Sequence, residues 1–514
     1  MKNNIKKQVA IFCFLLVGFS CSDLDEVNIN PDGITTATSQ MLASQLILNI
    51  LKDDVNNTKG FMQHFMLDKY ILWSELPEGS QYNDLGRSNF DRMTRLIDVE
   101  KMINLSEELN EGERNSYKGL GHFMRAYIFF GRTMQVGDIP YSDALKGESD
   151  GNIKPKYDTQ KEVFLGILDE LDKADTFFAQ GSSFDGDIVY GGDPGKWRKM
   201  VNSFALNVLI NLSKKTADPD LQVIPRFTNI VNTRPIFESN ADNFSLTYSN
   251  KDGQMYPFFK QGNQFIIYPM VSDILIDKLK ELEDYRLFHY AAPSTIKLEN
   301  GLTSSDFDAY LGVDPAIEYS ELSAIASSAD YSDINDRYKE IPEGEPVFLL
   351  SFAQIEFILA EASVRGWIPN NGEAHYRNGI KAAMYYVADN TPDNPNFHHG
   401  RIMDDAYINN YPESPEVKFS TSMEDQLEQI ITQKFISTYL QSPLSSFFEN
   451  RRTGYPAFPI NEETNENVPS DKLPIRWMYP SDEVDYNKEN LDEAVSRQYG
   501  GNDNNNGVMW ILQD

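Results

Sequence analysis

Apolar residues recur at three- and four-residue intervals over most of the chain, the spacing that lines one face of an α-helix. Between 113 and 136, Leu120, Met124, Tyr127, Gly131 and Met134 keep that spacing, and Gly137 stands where a helix would end. A second helix is expected with Asp158 as its N-cap and Val163, Ile167, Leu171, Ala174 and Phe178 on its buried face. A third covers 196–214, where Trp197, Val201, Phe204, Val208 and Leu212 align, which assigns Trp197 to the core rather than to a ligand. The stretches 348–365 and 373–387 read as two helices, and Gly366-Trp367-Ile368-Pro369 between them is short enough to force antiparallel packing. Ala360 and Ala362 on one, and Ala374, Gly379 and Ala383 on the other, permit close backbone approach. A last helix has Thr421 and Glu424 in capping-box spacing, runs through Leu427, Ile431, Phe435 and Tyr439, and stops at Pro443.

Two long stretches, 239–264 and 293–346, lack this period and are rich in Gly, Asn, Asp, Ser and aromatic residues, as loops with a few short strands would be. Loops of such length usually carry function. The expected fold class is therefore mostly α: degenerate tetratricopeptide-like helix pairs, without a traceable 34-residue repeat, forming a scaffold for long irregular loops. One domain is expected over 39–514, preceded by a tether over 21–38 that contains the turn-rich NINPDGITT.

The first twenty residues break the pattern. Lys2, Lys6 and Lys7 precede an unbroken apolar run from Val9 to Phe19, too short to cross the ~30 Å bilayer core as a helix, so 1–20 reads as a signal peptide. It closes on Gly18-Phe19-Ser20-Cys21, which resembles the lipobox where bacterial lipoprotein leaders are cut and the cysteine acylated, with Gly18 in place of the usual leucine. Cys13 would leave with the leader and Cys21 would carry lipid, so neither of the two cysteines remains for a disulfide or a metal. Charge narrows the partners. With 46 Lys plus Arg against 77 Asp plus Glu the formal charge is −31, and loss of the three leader lysines makes it more negative still. No basic run offsets it, which argues against nucleic acid as a partner, against highly anionic ligands, and for lipid rather than charge as the membrane tether.

Several segments together resemble the SusD/RagB family of Bacteroidetes surface lipoproteins, in its SusD-like branch. They are NINPDG at 28–33, GDIPYSDAL at 137–145, PKYDTQKEVF at 155–164, KWRKMVNSFALNVL at 196–209, FLLSFAQIEFILAEASVRGW at 348–367, HYRNGIKAAMYY at 375–386, ITQKFISTYLQ at 431–441, RRTGYPAF at 451–458 and LPIRWMYPSDEVDYN at 473–487. Order and spacing make the likeness specific. Most of these pieces also have an architectural reading, with Arg451, Arg452 and Arg476 neutralising helix-end carbonyls or buried carboxylates. RQYGG at 497–501 fits the family, whereas the asparagine-rich NDNNNGVMWIL after it departs from the pattern. The resemblance implies a non-enzymatic receptor in the outer membrane, facing the cell exterior. It would bind oligomeric nutrient, chiefly glycan, and deliver it to a SusC-type TonB-dependent transporter without a cofactor. The acidic Ser22-Asp23-Leu24-Asp25-Glu26 after the cysteine is similar to a surface-export signal of such lipoproteins. Oligopeptide capture is the alternative within the same class; a surface glycosidase and a protein-binding helical scaffold are the others.

Catalytic signatures are missing: there is no HExxH, GxSxG, Walker or dinucleotide motif. His398-His399 reads as a pair of surface residues in an extended loop, and the faint calcium-loop echo at Asn502, Asn504, Asn506 and Gly507 as a flexible turn. Saccharide capture needs aromatic faces beside hydroxyl-binding polar groups. Two stretches offer both. Residues 70–87 supply Trp73, Tyr82, Asn83 and Arg87, with Trp73 equally suited to a core stripe beside Met62, Met66 and Tyr70. Residues 252–265 supply Tyr256, Phe258 and Phe259 between glycines, expected to be exposed.

Overall fold

Helix signals in the sequence become helices, in order and nearly in place. The computed structural model describes residues 37–53, 59–369 and 371–514; the leader over 1–20, Cys21 and most of the expected tether lie outside them. The first half contains α1 (Ser39–Asp53), α2 (Lys59–Leu67), β1 (Ile71–Trp73), α3 (Arg95–Ser106), α4 (Glu111–Val136), α5 (Gln160–Ala179), α6 (Pro194–Asn211), α7 (Val223–Thr233) and β2 (Phe244–Leu246). The second contains β3 (Pro269–Val271), α8 (Asp273–Glu281), α9 (Tyr319–Ser328), β4 (Val347–Leu350), α10 (Phe352–Val364), α11 (Gly372–Asp389), α12 (Met423–Ser437), α13 (Ser445–Thr453) and α14 (Lys488–Tyr499), with shorter helical turns between. The fold is mostly α. Strand occurs as two antiparallel pairs, β1 with β3 and β2 with β4.

Boundaries follow capping chemistry. Asn110 accepts from Glu113 N to start α4, and Gly137 ends it at φ 95°. Helix α5 starts one residue later than expected: Thr159 forms a capping box with Glu162, while Asp158 turns its carboxylate to the amides of Tyr141 and Ser142. Helix α6 starts at Pro194 behind the Asp193 cap and ends at Asn211, earlier than expected. The expected capping box at Thr421 does not form, because Ser422 is the cap position of α12 and Glu424 instead accepts from the Tyr455 hydroxyl at 3.0 Å. That helix also stops at Ser437, short of Pro443, since Leu440, Ser442 and Leu444 adopt positive φ. Phe348 belongs to β4, and Ser351 opens α10 with a capping box to Gln354. His398 is buried at the end of a short helix and His399 is half-buried, so the pair does not lie in an extended surface loop.

Besides a small cluster of Leu72, Met270, Val313 and Leu322, two large apolar cores lie side by side. One gathers α1, α3 to α7 and the C-terminal residues; the other gathers α2, β1, β3, α8, α11 and α12. Helix α10 belongs to both. Ile355, Ile358, Leu359 and Ala362 enter the first core, and Ala353, Phe357 and Ala360 the second, so the helix is buried all round, its Glu356 and Glu361 included. It packs antiparallel on α11, where Gly379 admits Phe357: a β-carbon there would stand 2.6 Å from the ring. In α4, Gly119 likewise makes room for Phe178 of α5, and Gly121 for Ile103 of α3. No helix of the described residues is long and apolar enough to cross a membrane.

The C-terminal end of α4 is a junction of distant segments. Arg451 donates to Met134 O at 2.6 Å, Trp477 N to Gln135 O at 3.0 Å and the Tyr499 hydroxyl to Val136 O at 2.7 Å, which satisfies the carbonyls a helix end leaves open. Asp138, just beyond, holds Arg497 at 2.6 Å and the Gln160 amide at 2.7 Å. Arg451 thus serves carbonyls, while Arg452 and the fully buried Arg476 pair with carboxylates at Glu361 and Asp503. The asparagine-rich tail is docked: Asn505 bonds Gly86 O and Arg476 O, and Met509 and Ile511 are buried in the first core.

Candidate functional site

Strand β1 carries the chain to the surface. It pairs with β3 through Ile71↔Val271, Leu72↔Met270 and Trp73↔Pro269, which sets the 70–87 stretch against the residues just past 252–265. Trp73 is fully buried, 5.1 Å from the Tyr268 ring and 5.9 Å from Phe265, so it supports the surface from behind instead of presenting a face. Beyond it, residues 74–83 form a loop anchored from beneath. Gln81 accepts from Trp73 N on its side chain at 2.8 Å, and its carbonyl accepts from the buried Lys69 ammonium at 2.7 Å. Burial pushes that ammonium down to about 7, against the raising influence of Asp314 and Asp68.

Tyr82 leaves this loop toward two other segments. Its hydroxyl donates to Ile317 O at 3.0 Å and its carbonyl accepts from Glu466 N at 2.8 Å. Asn83, at φ 67°, donates to Asn465 Oδ1 at 3.1 Å. Tyr319, at the start of α9, donates its hydroxyl to Glu75 O, and Ala316 O accepts from Asn461 at 3.0 Å and Thr464 at 2.9 Å. Three segments distant in sequence are thereby tied into one cleft of about 460 Å³, lined by Pro77, Tyr82, Glu318, Tyr319, Ser320 and residues 463–466. Leu76 and Ile267, both largely exposed, stand beside Pro77 and Tyr268.

The cleft is acidic. Glu463 shares a hydrogen bond with Glu318, which together with their mutual repulsion raises the Glu463 carboxyl above its ordinary range. Burial, and then Asp84, raise Glu466. Burial pushes the Tyr82 phenol up to about 12, so it remains a donor at neutral pH. No lysine or arginine lines the cleft.

The other expected ligand residues lie elsewhere. Tyr256, Phe258 and Phe259 are buried in the second core, with Tyr256 5.6 Å from Tyr248 and Phe258 6.3 Å from Phe65. The glycines around them fold the loop inward, because burying three rings outweighs exposing them. Arg87 is exposed but turned to the C-terminal tail, donating to Tyr479 O at 2.7 Å and Asp503 at 3.2 Å. Asn83 is buried and acts as a strut. Sequence reasoning missed Tyr319, Glu318 and residues 463–466. A tyrosine just past the Asp314-Pro315 turn was the available local signal, and nothing local joined it to Tyr82.

The comparisons cover this whole body. The SusD-like family model described as starch-binding associating with outer membrane matches residues 30–480. A SusD homolog from Bacteroides fragilis is 42% identical with a TM-score of 0.89, over 93% of this chain and 100% of that one. A second from the same species is 34% identical with a TM-score of 0.81, over the same shares. A chitin-binding SusD homolog from Flavobacterium johnsoniae, 18% identical over 92% of this chain and 99% of that one, has the same fold at a TM-score of 0.69. No curated protein matches. Family match and superposition agree from the first helix to the segment that closes the cleft, and the chain belongs to the SusD-like family, associated with the outer membrane and with nutrient binding.

Proposed function

We propose that this protein captures a neutral oligosaccharide in the Tyr82–Tyr319 cleft. In this reading lipid on Cys21 holds it to the outer membrane, facing outward, and it hands the ligand to a SusC-type TonB-dependent transporter. One observation carries the assignment: three separate segments are hydrogen-bonded into a preformed, tyrosine-lined cleft of a size suited to small ligands. Preformed walls spare the ordering entropy of binding. The glutamates and the overall charge disfavour anionic chains. Starch in the family description and chitin in the name of a relative support glycan over peptide.

Calorimetry on the chain lacking residues 1–21, with malto- and chito-oligosaccharides, tests the reading. Tyr319→Ala is expected to weaken binding about tenfold, ~1.4 kcal/mol. Affinity unchanged in that variant, or tighter binding of oligopeptides than of any glycan, would sink it. Labelling with a palmitate analogue tests Cys21, and co-purification from outer membranes tests the transporter.

A further inference from the structure

A second cleft, also of about 460 Å³, opens between the chain after α8 and residues 401–416 and shares no lining residue with the first. Its wall is a column of rings: Tyr285 and Tyr407 stack at 3.9 Å and 10°, and Tyr407 leans on Tyr411 at 5.5 Å. The rings are pinned by their hydroxyls. Tyr407 accepts from Tyr285 N at 3.0 Å, and Tyr411 donates to the buried Asp284 at 2.9 Å.

Arg401 lies over Tyr285, 5.2 Å from its centroid, and is fixed in place. Its Nε donates to Ser305 O at 2.9 Å and its Nη1 to the Tyr285 hydroxyl at 3.0 Å. Among the described residues the third nitrogen, Nη2, has no hydrogen-bond partner and no carboxylate stands at salt-bridge distance, Asp306 acting on this arginine only from farther off. Four buried arginines pair with carboxylates, Arg286 with Asp284, Arg337 with Glu345, Arg452 with Glu361 and Arg476 with Asp503, whereas Arg401, like Arg451, is held by neutral oxygens. Glu283 and Glu416 line the same cleft yet leave Arg401 to neutral acceptors, and Ser414 Oγ in its wall has no hydrogen-bond partner.

The signs of charge select the ligand. An anion drawn to Arg401 meets Glu283 and Glu416; a cation drawn to those glutamates meets Arg401. A neutral polyol uses both, donating hydroxyls to the carboxylates and accepting from Nη2, while its C–H groups rest against the aromatic wall. We infer that this cleft is a second saccharide site, taking a neutral pyranose unit independently of the Tyr82–Tyr319 cleft.

Crystals of the soluble chain soaked with maltohexaose or chitohexaose, paired with calorimetry, provide the test. A sugar unit is expected within hydrogen-bonding distance of Arg401 Nη2, with tenfold weaker binding at that site in Arg401→Gln and partial retention in Arg401→Lys, both checked for native melting. Sugar found in the Tyr82–Tyr319 cleft alone, or Arg401→Gln titrating like the native protein, overturns the second site and leaves the first standing. Galacturonate or glucosamine hexamers binding there more tightly than the neutral probes overturn the class assigned. Loss of binding in Arg401→Gln with Tyr319→Ala unaffected supports this site while removing the first.

Discussion

Arg452 is the residue on which the centre of the protein turns. It forks onto Glu361 at 2.6 and 2.8 Å and reaches Glu449 at 2.5 Å, where Lys434 also pairs at 2.5 Å. Burial alone would raise the Glu361 carboxyl; Arg452 outweighs it and holds the group down to about 2. A carboxyl lowered by folding contributes stability at pH values above its unfolded value, roughly 4.3, and that contribution drains away as pH falls toward the folded value. Arg452→Met leaves two buried carboxylates with fewer cations and is expected to cost about 3–5 kcal/mol in urea denaturation at pH 7. It should also flatten the acid limb between pH 4.5 and 2; an unchanged midpoint and limb would remove this network from the stability account. Sequence alone offered Arg452 two partners, carbonyls or carboxylates. The structure divides them between Arg451 and Arg452, because only the side chain facing α10 meets Glu361.

At the scale of elements, glycines separate packing from propensity. Gly379 in α11 admits the Phe357 ring, so Gly379→Val forces a clash at the contact of α10 with α11 and is expected to cost about 1–3 kcal/mol. Gly131 in α4 has nothing within 4 Å of where a β-carbon would stand, so Gly131→Ala should stabilise by roughly 0.5–1 kcal/mol. Equal effects on the denaturation midpoint would contradict both assignments. Helices were legible because apolar residues in α4, α5 and α6 repeat at three- and four-residue spacing over many turns. Their exact caps were less so, since Asp158 and Thr159 are both good caps and tertiary partners decided between them. Phe348 was read as helix because an apolar run of four cannot distinguish a buried strand from a buried helix end. The cleft was hardest to read: Tyr82, Tyr319 and residues 463–466 meet only through tertiary hydrogen bonds, and the aromatic-rich 252–265 stretch turned inward to complete a core.

For the whole molecule, α10 contributes side chains to both large cores, so the two are expected to unfold together. Variants that keep only Trp197, in the first core, or only Trp73, in the second, are expected to report the same fluorescence midpoint in urea. Separate transitions would show that the cores melt apart. The closure at the end of α4 acts on a different axis, that of time. Trp477, Tyr499, Met509 and Ile511 complete a core begun by residues hundreds of positions earlier, so its keystones are made long after the helices they cover. Early folding from the amino end therefore stalls at an unfinished surface, and a growing or translocating strand stays pliable until these distant residues arrive to lock it.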